Sequence, residues 1–530
     1  MKEESSKTIK DFKNDFSSKQ ILISLVVIMF LGLIVRIVYF PFNLPIIADG
    51  LDYFSYSYQM SQTGNFPKDW ALSNNLWPAI VSFFINIFEQ NTFLENIAIQ
   101  RTLTVLISVF TIVPTFFLCK KFFNNTTSMI GASIFIFEPR IILNSSNGII
   151  EPLYILIGIT TLVLFLNKDR RSVYTSFCLA GIFALLRWEG FLLIFGMVPL
   201  YVTRFRYEKR VVLNTIVVIL IFVITITPMM WINLENTEKD GLIGPLLTYG
   251  PGYINDYIIQ ENTIDEYVSK ESGNKIFVLM GNAVENTVKF SGWIMIPSFI
   301  TLLPISILII LKNNVIRKWS FEKTILLVCA ILLFLPAVYA YSRNFNDIRY
   351  LFVLFPIFSM VSSVFLNKIL EKNSKKKLIS ILIILGIIVS SILFLEITKS
   401  DYELEKERYN IAKFIVANAD GVNLSSFTKY FTAAEMENNW PNIPKPNLSG
   451  HVTPKTMKFE IKESSVIQFI QNNKNKGLTH IISEDMSDSI VFQDVYINSE
   501  NYPFLVKIYD GNEEGMNSKV KIFKIDFEKI

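Results

Sequence analysis

The stretch Asp49-Gly50-Leu51-Asp52-Tyr53 follows shortly after an apolar run, residues 21–40, that is long enough to cross a lipid bilayer. Two helical patterns come next in the chain, over residues 52–63 and 77–88. At about 1.5 Å per residue, the second of these helices is too short to cross a hydrocarbon core of about 30 Å. Carboxylates, aromatic residues and short helices directly after a membrane span predict a lid that lies on the membrane surface.

The composition indicates a protein that crosses a membrane many times. Of the 530 residues, 51% are hydrophobic, and the mean hydropathy is +0.39. The apolar residues come in long blocks, which is typical of a polytopic α-helical membrane protein. The net charge of +4 is small and is carried by short loops, so we expect no nucleic-acid partner. The histidines, His451 and His480, both follow the last apolar run, which argues against a histidine-based zinc site in the membrane part.

Eleven apolar runs are candidate membrane spans. They cover residues 21–40, 99–117, 129–143, 152–166, 173–186, 191–201, 211–231, 293–311, 325–341, 350–366 and 378–395. Lys and Arg are concentrated in the short loops after the even-numbered spans, so the positive-inside rule places the N-terminal segment, residues 1–20, in the cytoplasm. The same rule places the first loop (41–98), a large loop (232–290) and the tail (397–530) on the outer side of the cell membrane.

The tail has the pattern of a small soluble α/β domain that follows a membrane domain of residues 21–396. Residues 466–473 are typical of a helix, and residues 480–483, 505–509 and 520–525 are typical of strands. We therefore expect an extracytoplasmic α/β domain, whose strand order the sequence leaves undefined.

Charged and polar residues collect at the outer end of the predicted spans, although ionisable side chains are costly at membrane depth. In the predicted topology these residues come from four hairpins and lie level with Asp49 and Asp52. They are Glu138, Arg140, Asn147, Glu151, Arg187, Glu189, Arg349 and Tyr350. Their convergence indicates a site at the outer membrane surface, and we interpret the first loop as the active-site loop of a membrane enzyme.

Structural roles would also explain several of these charged residues. Arg187 and Arg349 have the position of interfacial residues that extend toward water. Glu138 and Arg140 are two residues apart, so on a continuous helix they would not face each other, and each would pair with a neighbouring helix. Glu151 precedes a proline, as acids in the first turn of a helix often do.

The first loop has structural explanations of its own. Asp52 has the position of an N-cap for the helix predicted over residues 52–63. Tyr53 and Trp77 are of the kinds that anchor proteins at membrane interfaces or stack on sugars. Asp49 precedes Gly50, and no regular helix is predicted to begin there. Asp49 is therefore the first candidate for a chemical role.

Several short motifs resemble those of the glycosyltransferase-C (GT-C) superfamily, in particular the protein-mannosyltransferase and aminoarabinose-transferase-like group of archaea and bacteria. In the first loop the resemblance lies in Asp49-Gly-Leu-Asp-Tyr53, Thr63-Gly-Asn-Phe-Pro67 and Trp77-Pro78. Further along, the matching segments are Asn147 to Tyr154, Arg187-Trp-Glu-Gly190 and Arg349-Tyr350. The resemblance covers residues 21–395. The sequence departs from the common pattern in two places. The second acid of the first loop, Asp52, lies three residues after Asp49 instead of next to it. Trp188 stands where the pattern has a proline.

The resemblance implies an inverting glycosyltransferase with a polyprenyl-phosphate-linked sugar as donor and a hydroxyl or other group of a protein, lipid or glycan as acceptor. Transfer would occur at the outer face of the membrane, with Asp49 as general base. It implies substrate binding by Asp52, Tyr53, Glu151, Arg187, Glu189, Arg349 and Tyr350, with support from Glu138, Arg140, Asn147 and Trp77. No cofactor is implied; a divalent metal is left open, with Asp49, Asp52 and Glu151 as the residues that would hold it.

Other functions fit parts of the pattern. A transporter or flippase for lipid-linked sugars would also carry charges within the membrane, but near its midplane and often with internal repeats, which this sequence lacks. A glycan ligase or polymerase would share the donor chemistry. In a structural or assembly protein the tail would carry the function, and the lid in the first loop would have no role. Transfer of a whole oligosaccharide to asparagine is less expected, because the sequence has no clear Asp-x-Asp metal motif and no tryptophan-rich signature of that group.

Overall fold

The structure is a computed structural model, and it describes residues 16–68, 70, 72, 75–88, 90–238, 240–244, 275–312, 320–443, 451–485 and 489–530. Most of the predicted cytoplasmic segment and residues 245–274 of the predicted large loop lie outside this described part. The chain divides into two compact units. The first unit comprises Met1–Phe40, Phe66–Ile80 and Arg101–Thr398, and the second comprises Pro41–Asn65, Val81–Gln100 and Lys399–Ile530.

Up to Thr398 the regular structure of the described residues is entirely helical. The α-helices in chain order are α1 Ser18–Val38, α2 Asp49–Thr63, α3 Leu76–Phe88, α4 Phe93–Phe110, α5 Ile112–Lys120, α6 Asn125–Ile136, α7 Pro139–Ser145, α8 Glu151–Phe165, α9 Arg170–Leu186, α10 Leu192–Phe205, α11 Val211–Thr237, α12 Lys275–Met295, α13 Leu302–Lys312, α14 Phe321–Ser342, α15 Phe355–Glu371 and α16 Lys376–Thr398. Two 3₁₀-helices, Trp188–Phe191 and Ile348–Leu354, directly precede α10 and α15.

Six helical segments of the described chain are long and apolar enough to cross a membrane. They are Ser18–Val38, Phe93–Lys120, Val211–Thr237, Phe321–Ser342, Ile348–Glu371 and Lys376–Thr398. The bent pair α6–α7 would add a seventh. Each of the eleven predicted runs contains helix, but several of these helices are too short to span on their own, so the count of eleven stays a prediction.

Prolines interrupt two of the predicted spans. The run over residues 129–143 is divided at Pro139 into α6 and α7, whose axes differ by 54°. The run over residues 293–311 is wrong as one helix, because α12 ends at Met295 and α13 begins only at Leu302, with Pro297 between them. Proline lacks an N–H and disfavours helical conformation in the residue before it, so both breaks have a local cause.

The tail contains four α-helices and five short strands in the described residues. The helices are α17 Tyr402–Asn418, α18 Phe431–Asn438, α19 Val466–Asn473 and α20 Ile490–Ile497; the strands are β1 Gly421–Asn423, β2 Met457–Phe459, β3 His480–Glu484, β4 Leu505–Asp510 and β5 Val520–Ile525. Strands β1 and β2 pair in parallel, and β5 lies between β3 and β4 in an antiparallel sheet. The predicted helix over residues 466–473 and the strand over residues 520–525 have the observed bounds.

The core of the tail is apolar and continuous from the three-stranded sheet to two helices. Phe469 and Ile470 of α19, Phe492 of α20, and Ile481 and Phe523 of the sheet are buried in one cluster. Burial of large apolar side chains stabilises such a unit by about 1.5–3 kcal/mol for each side chain. The tail belongs to the same compact unit as Pro41–Asn65 and Val81–Gln100, so its independence as a domain stays a prediction.

Candidate functional site

In the first unit the chain turns sharply after α9 and presents Arg187. Arg187 ends α9 in an extended conformation, and the 3₁₀-helix Trp188–Phe191 follows directly. Gly190 packs so closely on α9 that an added Cβ would lie 2.7 Å from the carbonyl oxygen of Phe183. A side chain at position 190 would push this turn away from α9, so the glycine is required for the placement of Arg187 and Glu189.

Arg187 lies between two buried carboxylates. Its Nη1 is 3.0 Å from Oε1 of Glu151, the first residue of α8, and its Nη2 is 3.0 Å from Oε1 of Glu189. Only 4% of Glu151 and 7% of Glu189 is exposed. Buried charges need paired, hydrogen-bonded partners, and a guanidinium group can bond two carboxylates at once. The alternative of an interfacial residue that extends toward water does not fit Arg187, because its guanidinium bonds two buried acids.

Arg349 is held at the edge of the same cluster by Asp347. The Asp347 side chain caps the 3₁₀-helix Ile348–Leu354 by accepting from the Arg349 backbone N–H at 2.8 Å, and it also accepts from Arg349 Nε at 2.7 Å. Nη1 of Arg349 lies 3.9 Å from Oε1 of Glu151. The Arg349 side chain is 30% exposed, against 16% for Arg187. Arg349 is thus the more accessible of the two guanidinium groups.

Two tyrosines complete this cluster, which we call the arginine cluster: Glu151, Tyr154, Arg187, Glu189, Asp347, Arg349 and Tyr350. The Arg187 guanidinium lies over the rings of Tyr350 and Tyr154, at 4.9 Å and 5.9 Å from their centroids. All of these residues except Asp347 line one cleft. Three carboxylates and two guanidinium groups leave the cluster with a formal charge of −1, so it is an ionic network with a slight excess of acid rather than a positive pocket.

We expect Arg187→Ala to destabilise the protein strongly. The substitution leaves Glu151 and Glu189 buried without their shared cation, and removal of one partner from a buried ion pair costs about 3–5 kcal/mol. Thermal unfolding of the purified protein in detergent measures the loss. Arg170→Ala is the matched control, because the Arg170–Glu208 pair is largely exposed and such pairs contribute about 1 kcal/mol or less. Equal melting temperatures for the two variants would contradict a supporting role for Arg187.

In the second unit a regular helix does begin at Asp49, contrary to the sequence prediction. Helix α2 starts there, and its N-cap is Ala48, whose φ of 49° lies in the left-handed region. The Gly50 carbonyl accepts a hydrogen bond from Nε2 of Gln100 at 2.9 Å, which ties down the first turn. A strained residue at the entry to this helix costs about 1–3 kcal/mol and must be held by its surroundings. Asp49 and Asp52 both lie in the first turn, where carboxylates are favoured by the helix dipole.

Asp52 is held by the tail and does not serve as the predicted N-cap. Its Oδ2 is 2.7 Å from Nδ1 of His451, and its Oδ1 accepts from the Val452 backbone N–H at 2.9 Å. Asp52 is 8% exposed. Burial raises the pKa of Asp52 above its usual value, and the bonds from His451 and Val452 act in the opposite direction. Asp49 is half-buried, three residues earlier on the same helix.

Tyr53 and Trp77 of the first loop are enclosed by protein, so their predicted role as membrane-interface anchors is wrong. Trp77 is fully buried in the first unit, and its Nε1 donates to the Gly148 carbonyl at 3.2 Å. Tyr53 is buried in α2 of the second unit. A fully buried indole is not a sugar platform either, so Trp77 supports the chain around Gly148.

Glu138 and Arg140 form a pair, which corrects the prediction that they cannot face each other. Glu138 is fully buried at the 54° bend between α6 and α7, and its Oε1 lies 3.6 Å from Nη1 of Arg140. The helical spacing rule fails because Glu138 lies outside both helices, in an extended conformation. Arg140 also donates to the carbonyl of Ile296, while Asn147 is exposed in the turn before α8.

Three residues whose hydrogen bonds join distant segments of the chain were not predicted from the sequence; they are His451, Val452 and Arg36. His451 and Val452 contact Asp52 from about 400 positions away, and no local pattern marks them. Arg36 is almost completely buried in α1, where it donates to the carbonyl of Ile136 at the end of α6 and to Ser108 Oγ. The charge of Arg36 inside the first apolar run was a signal in the sequence, because an ionisable side chain within a membrane span is costly and needs a partner. Its position at the C-terminal end of α6 is electrostatically favourable for a cation.

A metal site does not emerge from the described residues. They contain no group of three or more His, Cys, Asp or Glu side chains placed to hold a metal ion. Asp52 fits poorly as a ligand, because each of its oxygens already accepts a hydrogen bond.

Comparison with known proteins identifies the fold. No protein-family model matches the sequence, and no curated protein matches it. Among the similar solved structures is the Archaeoglobus fulgidus oligosaccharyltransferase in complex with zinc and sulfate. Its TM-score is 0.55 and its sequence identity is 11%, and the match covers 89% of this chain and 69% of that chain. Oligosaccharyltransferase AglB from Archaeoglobus fulgidus, in complex with an inhibitory peptide and a dolichol-phosphate, has a TM-score of 0.52 and 12% identity over 88% and 69% of the two chains.

A third similar structure matches over almost its whole length. ArnT from Cupriavidus metallidurans, bound to undecaprenyl phosphate, has a TM-score of 0.52 and 9% identity over 94% of this chain and 97% of that chain. At such identities the similarity defines the fold and not the reaction. The chain therefore shares its fold with the oligosaccharyltransferase and with ArnT. Six helical segments of the described residues are long and apolar enough to cross a membrane, as expected of a protein that crosses it several times. The resemblance of the loop motifs is thus confirmed for the fold.

Proposed function

We propose that this protein is an inverting membrane glycosyltransferase that moves a sugar from a polyprenyl-phosphate carrier to an acceptor at the outer face of the cell membrane. The observation that carries the proposal is the arginine cluster, a buried ionic network with the accessible guanidinium of Arg349 at its edge. It occurs in a fold shared with a protein that was solved with undecaprenyl phosphate and another that was solved with a dolichol-phosphate.

The proposed chemistry needs one base and one group that stabilises the departing phosphate. The Asp49 carboxylate takes the proton of the acceptor hydroxyl, whose oxygen attacks the anomeric carbon. The bond from that carbon to the phosphate oxygen breaks, and the polyprenyl phosphate leaves with the electron pair. Arg349 stabilises the growing charge on this oxygen, because it is the more exposed of the two guanidinium groups. A single displacement inverts the anomeric centre.

The acceptor is a protein, lipid or glycan hydroxyl, and we favour transfer of a single sugar. The match covers 97% of ArnT and 69% of each oligosaccharyltransferase. The sequence also has no clear Asp-x-Asp metal motif and no tryptophan-rich signature of transfer to asparagine.

A transporter of lipid-linked sugars is the second candidate function. Its support is the bend between α6 and α7, because broken helices with a buried acid at the break are a feature of transporters. Such a protein would move the lipid-linked sugar across the membrane without breaking a bond.

Glycosyl transfer by the purified full-length protein distinguishes these functions. The protein is incubated in detergent with undecaprenyl-phosphate-linked and dolichol-phosphate-linked monosaccharides and a cell-envelope extract as acceptor source. We expect release of the free polyprenyl phosphate together with a new glycosylated product, both read by mass spectrometry. Intact donor in this assay, with movement of the same donor across a reconstituted vesicle membrane, would favour the transporter.

The proposed orientation gives a direct test by cysteine labelling. In a variant without Cys119, Cys178 and Cys329, we expect cysteines introduced at Ser269 and Ser464 to react with an impermeant maleimide in intact cells. Ser464 is exposed, and Ser269 lies outside the described residues. Tyr207→Cys, at an 85% exposed position between α10 and α11, is the control and should react only after lysis, because the proposed topology puts it in the cytoplasm. The reverse pattern would overturn the orientation.

A further inference from the structure

Within the second unit the tail contacts helix α2 between Asp52 and Tyr58. At the first turn His451 and Val452 bond Asp52. One turn on, Ser55 Oγ lies 3.6 Å from Sδ of Met436. Toward the middle of the helix, Trp440 packs on Tyr58. Three parts of the tail thus contact α2 along its buried face.

The contact at Asp52 is built for a carboxylate. Both oxygens are engaged, one by an imidazole nitrogen and the other by a backbone N–H, while Asp52 itself is buried. The His451 side chain is 64% exposed and reaches the acid from the solvent side. A buried carboxylate without hydrogen bonds is strongly disfavoured, so these donors determine where Asp52 can lie.

The contact at Trp440 is apolar and holds the other part of the helix. The Trp440 ring is 4.4 Å from that of Tyr58 and 5.8 Å from that of Phe93, measured between centroids. Its Nε1 donates to the Asn91 carbonyl at 3.0 Å. Aromatic pairs of this kind stabilise beyond the area they bury. Trp440 therefore joins the tail to α2 and to the segment that begins α4.

Helix α2 needs such external support. It has only 15 residues, several of them Ser, Tyr and Thr, and isolated helices of this length are marginal in water. Asp49 lies three residues before Asp52, so the two side chains are neighbours on the same face. A displacement of Asp52 would therefore move Asp49 with it.

We infer that His451 is a positioning residue, through which the tail holds Asp52 and thereby aims Asp49 at the acceptor. This inference rests on the proposed function of Asp49. In this view the tail supports the first loop and is not a functionally separate domain. Positioning within a fraction of an ångström is what a general base requires, and loss of one supporting bond has a measurable effect on the rate.

Substitutions at His451 in the full-length protein test the inference. We expect His451→Ala to lower kcat by about tenfold with the donor KM unchanged, because the charge-assisted bond is lost while donor binding is not. His451→Asn should restore most of the rate, since its amide nitrogen replaces Nδ1 as donor. Thr453→Ala, at an exposed neighbouring position, is the control and should match the wild type.

Two further measurements separate positioning from general stability. Hydrogen exchange at the amides of residues 50–55 should accelerate in His451→Ala and remain slow in His451→Asn and Thr453→Ala, with melting temperatures unchanged. In the Asp52→Asn background, His451→Ala should lower kcat much less than in the wild type, because the two residues act as a pair. A melting temperature that falls together with kcat, without this pairwise effect, would assign His451 a structural role only.

The inference and the proposed function fail in different ways. Unchanged hydrogen exchange, or faster exchange with unchanged kcat, would overturn the positioning role of His451 even if the protein transfers sugar. Absence of transfer by the wild type, together with the expected change in hydrogen exchange, would overturn the proposed function and the role of His451 in it, while the contact itself would stand.

Discussion

Asp49→Asn is expected to abolish most glycosyl transfer while leaving the protein folded and able to bind donor. The amide has the shape of the carboxylate but cannot take a proton from the acceptor hydroxyl. General-base contributions are about 10²–10⁴-fold, which corresponds to about 3–5 kcal/mol in the activation barrier. The measurement is the kcat of purified protein with a polyprenyl-phosphate-linked sugar, alongside binding of the same donor and the melting temperature.

Asp52→Asn is the matched control for this prediction. It lies in the same helical turn, but its oxygens are bonded to His451 and Val452, so its main effect should be on the local structure. Replacing one acceptor oxygen by an amide costs about 1–3 kcal/mol of stability and a modest part of the rate. If Asp52→Asn is inactive and Asp49→Asn turns over within a few-fold of the wild type, the base is Asp52. If both variants retain activity, the first loop is not catalytic and the transporter becomes the better proposal.

Arg349→Ala should have the second largest effect, a loss of about 10²–10³-fold in kcat. This is the range found when one preorganised donor to a developing negative charge is removed. The effect should fall on turnover and not on stability, because the Arg349 side chain is 30% exposed and its partner Asp347 is 20% exposed. Initial rates at saturating donor, compared at equal amounts of folded protein, measure it.

Arg349→Lys and Arg187→Ala distinguish the proposed role from simple packing. Lysine keeps the charge but not the planar pair of donors, so it should recover only part of the activity. Arg187→Ala should instead lower the melting temperature, since Arg187 neutralises two buried acids. Wild-type turnover by Arg349→Ala would leave Arg349 as an interfacial residue with no part in the reaction.

Much of the helical framework follows from local sequence. Each predicted apolar run contains helix in the structure, because length and hydropathy are properties of a short window. The bounds of α19 and β5 were predicted to the residue, since both are short amphipathic or β-branched segments next to clear turn residues. Prolines 139 and 297 explain where two predicted spans break, although the breaks themselves were not predicted.

Five residues of the arginine cluster were predicted to lie together, but their pairing was not predicted; they are Glu151, Arg187, Glu189, Arg349 and Tyr350. Topology places Glu151, Arg187, Glu189 and Arg349 at one end of the spans. Topology does not show that Arg187 bonds two acids, or that Arg349 is the more exposed of the two arginines. That distinction depends on which side chains meet and how far each is removed from water.

The sequence by itself determined that this protein spans a membrane through many apolar helices, and that acids follow the first of them. Only the tertiary structure decided that α2 begins at Asp49, since Gln100 and the tail support a turn that Gly50 would otherwise weaken. It also decided that Asp52 is bonded by His451, which lies 399 positions away. Hydropathy and helical periodicity can be recognised from neighbouring residues in the sequence. The hydrogen bonds of a buried carboxylate depend instead on which distant residues the fold brings next to it and on how far it is removed from water.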